Sequence, residues 1–198
     1  MANEILEKLR RLDIALVMDV TTSMSACLKE AKSKLVDLIV SISQTVLAPR
    51  VALSLVTYTD HDVWRAPPSE VVCPLTDNLD LIQKSLSRLK LRWGGQTFPE
   101  AVADGLAAAV NLSWREVSHR LLVLVGDAPP RGDTQCVSGL NMQMLVKKIK
   151  EQRVIVLAVG CPGPGGVDTT LVEEFATVSA CAWCGVRHRY GQTLFYAR

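Results

Sequence analysis

The sequence predicts a doubly wound α/β domain, with a mostly parallel central sheet of about six strands flanked by helices. Three observations carry this prediction. Residues 14–18, 121–125 and 154–159 are continuous runs of Val, Ile, Leu, Ala and Met, as strands buried on both faces of a parallel sheet read. Between them lie stretches whose apolar residues recur at three- and four-residue steps, the period of a helix with one buried face. Turn-forming residues punctuate the chain at Pro67-Pro68, Gly94-Gly95, Pro129-Pro130 and the Pro-Gly-Pro-Gly-Gly run at 162–166. Strands alternating with helices build an α/β sheet. Ligands in such sheets bind beyond the carboxyl ends of the strands, where the strand order reverses.

The elements follow in order. Residues 1–11 form an N-terminal extension, and 12–198 one domain. Charges interrupt the apolar pairs of the extension, which suits a short amphipathic helix through Ile5, Leu6 and Leu9 better than a secretion signal. After the strand at 14–18, Leu28, Ala31, Leu35, Leu38, Ile39, Ile42 and Val46 repeat with helical period. Residues 51–58 alternate as a strand does, and 70–75 read as its hairpin partner at a sheet edge. Helices are expected around Leu79, Ile82, Leu86 and Leu89, then Val102, Leu106 and Val110, and then Met142, Leu145 and Ile149. A last helix is expected around 170–178 and a final strand within 185–196.

Composition removes several classes. Apolar residues make up 48% of the chain, too many for intrinsic disorder. No apolar run reaches the length of a membrane span. A net charge of +2 offers no electrostatic case for nucleic acid or an anionic membrane as partner. The six cysteines sit in a chain large enough to build its own core. They are therefore expected as mostly free, packed thiols in a reducing, cytoplasmic setting.

Chemistry is expected at the strand ends. The first strand runs into Asp19-Val20-Thr21-Thr22-Ser23-Met24-Ser25. A helix N-cap needs one Asp, Ser or Thr; here Asp19, Thr21 and Ser23 alternate, which points three oxygens the same way in an extended loop. The segment 94–100 presents Thr97, and Gly126-Asp127-Ala128-Pro129-Pro130 presents Asp127 beyond a central strand. Carboxyl and hydroxyl oxygens converging from three strand ends suit a hard divalent cation, Mg2+ above all.

This constellation resembles the von Willebrand factor type A domain, over nearly the whole chain from Leu12 to about Tyr196. Its metal-ion-dependent adhesion site uses an Asp-x-Ser-x-Ser loop, a Thr from a second loop and an Asp from a third. Asp19, Thr21 and Ser23 match the first loop, with Thr21 where Ser is more usual; Thr97 matches the second and Asp127 the third. Asp-Val-Thr-Thr-Ser-Met at 19–24, Tyr58-Thr59-Asp60-His61-Asp62 and Gly126-Asp127-Ala128-Pro129-Pro130 look most like the intracellular branch found in alpha-kinase-type proteins. That branch often carries Asp where this chain has Thr97, and no kinase domain has a counterpart here.

The resemblance implies an interaction module and not an enzyme. Thr21, Ser23 and Thr97 would hold Mg2+, or Mn2+ or Ca2+ in its place, directly or through water. Asp19 and Asp127 would neutralise it, and a protein partner would supply an Asp or Glu carboxylate. A metal-independent scaffold is the alternative, and a metal-dependent hydrolase a weaker one, since no general base or nucleophile is evident beside Asp19.

Other residues invite plainer readings. Asp60, His61 and Asp62 read as a solvated hairpin turn, or else as an acidic rim that tunes the metal; His61 is not taken as a ligand. Cys181-Ala-Trp-Cys184, with His188 nearby, lacks the second pair that a closed zinc site uses, so these thiols are read as packed or exposed. Cys136 and Cys161 stand in no paired motif. Arg131-Gly132-Asp133 reads as a polar loop. Trp64, Trp93, Trp114 and Trp183 read as core or loop anchors, Trp93 near the metal rim. Arg115, Arg120 and residues 147–150 read as solvated faces.

Overall fold

A computed structural model describes residues 11–44, 51–63, 67–93, 99–132 and 136–161. The elements are β1 (Leu12–Asp19), a 3-10 turn (Thr22–Met24), α1 (Ser25–Ser43), β2 (Val51–Tyr58), β3 (Ser69–Thr76), α2 (Leu79–Arg88), α3 (Val102–Val110), β4 (His119–Gly126), α4 (Met142–Glu151) and β5 (Val154–Gly160). Among the described residues, five strands form one sheet in the order β3-β2-β1-β4-β5. β1 pairs in parallel with β2 and β4, β4 pairs in parallel with β5, and β3 runs antiparallel to β2. The chain thus moves outward on one side of β1 and crosses to the other side for β4. The switch point lies at the carboxyl ends of β1 and β4. The N-terminal amphipathic segment, the helix expected around 170–178 and the strand expected within 185–196 lie outside the described residues.

Two apolar layers sandwich the sheet. Ala15, Val17, Val56, Tyr58, Leu122 and Leu124 pack with α3 and α4 through Leu106 and Ile149. Ile14, Leu16, Met18, Leu53 and Leu55 pack on the opposite face with α1 and α2 through Leu28, Ile39, Ile82 and Leu86. Neighbours in sequence therefore enter opposite layers, as the two-residue period of a strand requires. Gly105 lets α3 sit close to the sheet: a Cβ there would lie 2.9 Å from Tyr58 Cδ1 and 3.1 Å from Val17 Cγ1. Helix starts are set locally. Asn78 and Asn141 cap α2 and α4, their side chains accepting from Leu81 N at 3.2 Å and Met144 N at 3.1 Å.

Four expectations change. All eight residues of β2 are buried, although its sequence alternates. Helices cover both faces, and Ser54 is satisfied by donating to Cys73 O at 2.8 Å. The continuous apolar run of β5 alternates in burial instead, with Ile155 41% exposed, because β5 is an edge strand among the described residues. Arg115 and Arg120 are structural and do not line solvated faces. Arg115 closes an ion pair on the fully buried Asp13 at 2.5 Å, and Arg120 donates to Gln152 O at 3.2 Å and to Arg115 O at 3.0 Å. Trp93 anchors nothing: it is 88% exposed. Among the described residues no helix is long and apolar enough to cross a membrane.

Candidate metal centre

The switch point gathers acids. Asp19 is the last residue of β1 and fully buried. Its Oδ1 accepts from Thr21 N and from Thr21 Oγ1, both at 2.7 Å. This turn of the carboxyl onto its own chain ends the strand and starts the 3-10 turn at Thr22. Thr21 Oγ1 lies 2.9 Å from Ser23 Oγ, and Ser23 Oγ donates to Asp127 Oδ1 at 3.0 Å, across 104 residues of sequence. One hydrogen-bonded line therefore runs Asp19–Thr21–Ser23–Asp127. Four of the five residues expected at the site are brought together; Thr97 lies outside the described residues.

A fifth group, Glu100, was not anticipated. It precedes α3 and is tied to the segment after Asp127: Glu100 N donates to Pro129 O, and Arg131 N to Glu100 O, each at 2.9 Å. Its side chain is buried. An acid at a helix entrance has an ordinary explanation in the helix dipole, so nothing in the local pattern singles it out.

The charge balance is unusual. Burial pushes the Asp19 carboxyl up to about 7, with the Thr21 hydrogen bonds opposing and the Asp127 charge adding to the push. Burial also raises Asp127, against the hydrogen bond from Ser23. Glu100 is pushed up to about 9, first by burial and then by the charges of Asp19, Asp60, Asp127 and Asp62. Asp19 Oδ2 and Glu100 Oε2 are buried with no hydrogen-bond partner. Buried polar atoms are nearly always satisfied, and buried carboxylates need a counter-charge. Among the described residues no basic side chain pairs with Asp19, Asp127 or Glu100. Two hydroxyls, two carboxyls and unpartnered oxygens fit a hard divalent cation.

Asp60 belongs to the same rim, yet it is compensated. Arg131 Nε donates to its Oδ1 at 3.1 Å and Arg131 Nη2 to its Oδ2. The solvated-turn reading therefore holds for Asp62 alone, which is exposed; Asp60 is fully buried, and only 8% of the His61 side chain is exposed. Cys27, Cys73, Cys136 and Cys161 are buried thiols outside any disulfide among the described residues. Burial raises the Cys27 and Cys161 thiols, which also feel the Asp127 charge, so they stay protonated and weakly nucleophilic. Cys181, Cys184 and His188 lie outside the described residues.

Comparison with known proteins agrees with the fold. A family model of the von Willebrand factor type A domain matches residues 13–190. Among solved structures, proximal thread matrix protein 1 from the mussel byssus, with a zinc-occupied MIDAS motif, superposes with a TM-score of 0.65 at 18% identity. That match covers 87% of this chain and 40% of the mussel protein. The SpRpn10 VWA domain superposes with a TM-score of 0.60 at 15% identity, covering 88% of this chain and 84% of that one. The pilus adhesin SpaC from Lactobacillus rhamnosus GG, in its open conformation, gives 0.66 at 12% identity, over 85% and 26% of the two chains. These likenesses are of fold, and this chain spans well under half of the mussel protein and of the adhesin. No curated protein matches in sequence.

Proposed function

The chain belongs to the von Willebrand factor type A domain family, a family of protein-interaction modules, and we propose that it binds its partner through a divalent cation, Mg2+ or in its place Mn2+ or Ca2+. The observation that carries this reading is the pair of buried carboxyl oxygens without a partner, Asp19 Oδ2 and Glu100 Oε2. Thr21 and Ser23 offer neutral hydroxyl ligands, with Thr97 as the third. Asp19 and Asp127 fix those hydroxyls and balance the charge. Glu100, pushed up to about 9 by burial and by the neighbouring acids, adds a further oxygen to the rim. The bound ion would supply an electrophilic face, and a hard oxygen anion suits it. The partner therefore offers an Asp or Glu carboxylate. The buried thiols of Cys27, Cys73, Cys136 and Cys161 suit a reducing, cytoplasmic setting.

Thermal melts with Mg2+ and with EDTA test the site. A ligand that binds only the folded state stabilises it by about 2.7 kcal/mol at a hundredfold excess over Kd. Wild type should melt higher in Mg2+, and Asp19→Ala should melt alike in both. Proteins captured on the immobilised chain should be released by EDTA and absent from Asp127→Ala. Equal wild-type melts, with capture that survives EDTA and Asp127→Ala, would leave a metal-independent scaffold.

A further inference from the structure

A second cluster lies one residue beyond Asp60 and has different chemistry. His61 follows β2, Asp104 sits in the first turn of α3, and Cys136 lies between β4 and α4. Their ligating atoms all fall within 4.8 Å of one another. His61 Nε2 is 2.9 Å from Asp104 Oδ2, and Cys136 Sγ is 3.9 Å from the same oxygen. Ser138 Oγ donates to Asp104 Oδ1 at 2.5 Å and lies 3.3 Å from His61 Nε2. We propose that His61, Asp104 and Cys136 form a second metal site, which takes Zn2+ or another thiolate-binding divalent ion.

The donor set argues for the ion. Zinc is held by imidazole nitrogen, thiolate and carboxylate at about 2.0–2.3 Å, which spaces tetrahedral donors roughly 3.5 Å apart. The 2.9 and 3.9 Å separations fall on either side of that value and the third lies within 4.8 Å, so side-chain shifts of up to about an ångström complete the geometry. One carboxylate and one thiolate cancel the charge of a dication. Cys136 Sγ donates to the same Asp104 oxygen that His61 faces, so imidazole, thiol and carboxylate, the donor types zinc takes, meet at one point. Ser138 or a water completes the fourth position.

The surroundings resemble the support a zinc-bound histidine uses. Ligating imidazoles usually direct their other nitrogen at a carboxylate. Here His61 Nδ1 is buried without a hydrogen-bond partner, 3.8 Å from Asp60 Oδ1. Asp60 is itself fixed by Arg131 and accepts from His61 N at 2.7 Å. The site would tie the segment before α4 to α3 and to the turn after β2. Its thiol and imidazole select a softer metal than the oxygen-only Asp19 cluster does.

Co2+ tests this with the full chain, because tetrahedral cobalt bound to thiolate absorbs in the near ultraviolet and visible. Metal-free protein titrated with Co2+ should develop a thiolate-to-cobalt band at one equivalent, and Zn2+ should bleach it. Saturating Mg2+ should leave it unchanged. The band should vanish in Cys136→Ser and in His61→Asn, and persist in the Cys181→Ser/Cys184→Ser double variant. Asp60→Asn should weaken cobalt binding about 10- to 100-fold. Should Cys136→Ser fail to fold, the loss in His61→Asn decides. No band in wild type, a band that survives both single variants, or one lost only with Cys181 and Cys184 would overturn the proposal.

Discussion

Glu100 and Asp60 are both buried acids at one rim, and they differ in what faces them. Asp60 meets the guanidinium of Arg131; Glu100 meets other carboxyls and is pushed up to about 9. The folded state thus binds the Glu100 proton more tightly than the unfolded chain. Its stability contribution is complete below its ordinary value of 4.5 and is lost as the pH rises through about 9. Glu100→Gln keeps the shape and cannot ionise. In EDTA at pH 8 it should melt no lower than wild type, and its melting temperature should vary less between pH 5 and 9. A lower melting temperature at pH 8 with an unchanged pH dependence would show that Glu100 is charged and compensated. The legible part of this site was Asp19, Thr21 and Ser23, whose alternation exceeds what a helix cap needs. Glu100 stayed hidden because its burial depends on Pro129 and Arg131, about thirty residues downstream in sequence.

β1 carries two buried acids with opposite fates. Asp13, near the amino end, is fully satisfied. It accepts from Arg115 N and from Ser118 Oγ at 2.9 Å each, and pairs with the Arg115 guanidinium. Asp19, at the carboxyl end, keeps an unpartnered oxygen. The first arrangement ties β1 to the segment entering β4; the second is left for a ligand. Removing one partner of a buried pair strands a charge and costs about 3–5 kcal/mol. Arg115 is 24% exposed, so Arg115→Ala should fall near the lower end of that range. Chemical denaturation would measure this. The extra stability conferred by Mg2+ should be unchanged in that variant, because the two acids lie at opposite ends of the strand. An equal loss of both would tie Asp13 to the metal site.

At the scale of the molecule, the strand order β3-β2-β1-β4-β5 brings Asp19 and Asp127 side by side. Asp19, Asp127 and Glu100 are all raised mainly by burial. Without metal, the folded chain holds more protons than the unfolded chain across this range, so stability should fall as pH rises from about 4 to about 9. A bound cation needs deprotonated carboxyls, so saturating Mg2+ should flatten or reverse that trend between about pH 5 and 8. Paired thermal scans in EDTA and Mg2+ check the crossing; parallel curves would separate the acids from cation binding.

Hydrophobic period and turn residues by themselves determined the class of fold, the order of the elements and the loops that meet at the switch point, because strand and helix periods are written in local sequence. Asp19, Thr21, Ser23 and Asp127 could be read as one set for the same reason, since each stands at the end of a recognisable strand or the start of a helix. Burial and pairing were decided by tertiary structure alone. β2 is covered on both faces despite its alternation, Arg131 reaches Asp60 across 71 residues, and Cys136 meets His61 through Asp104 on a third element. A side chain's solvent and counter-charge come from whatever packs against it, and in this sheet that neighbour is usually far away in sequence.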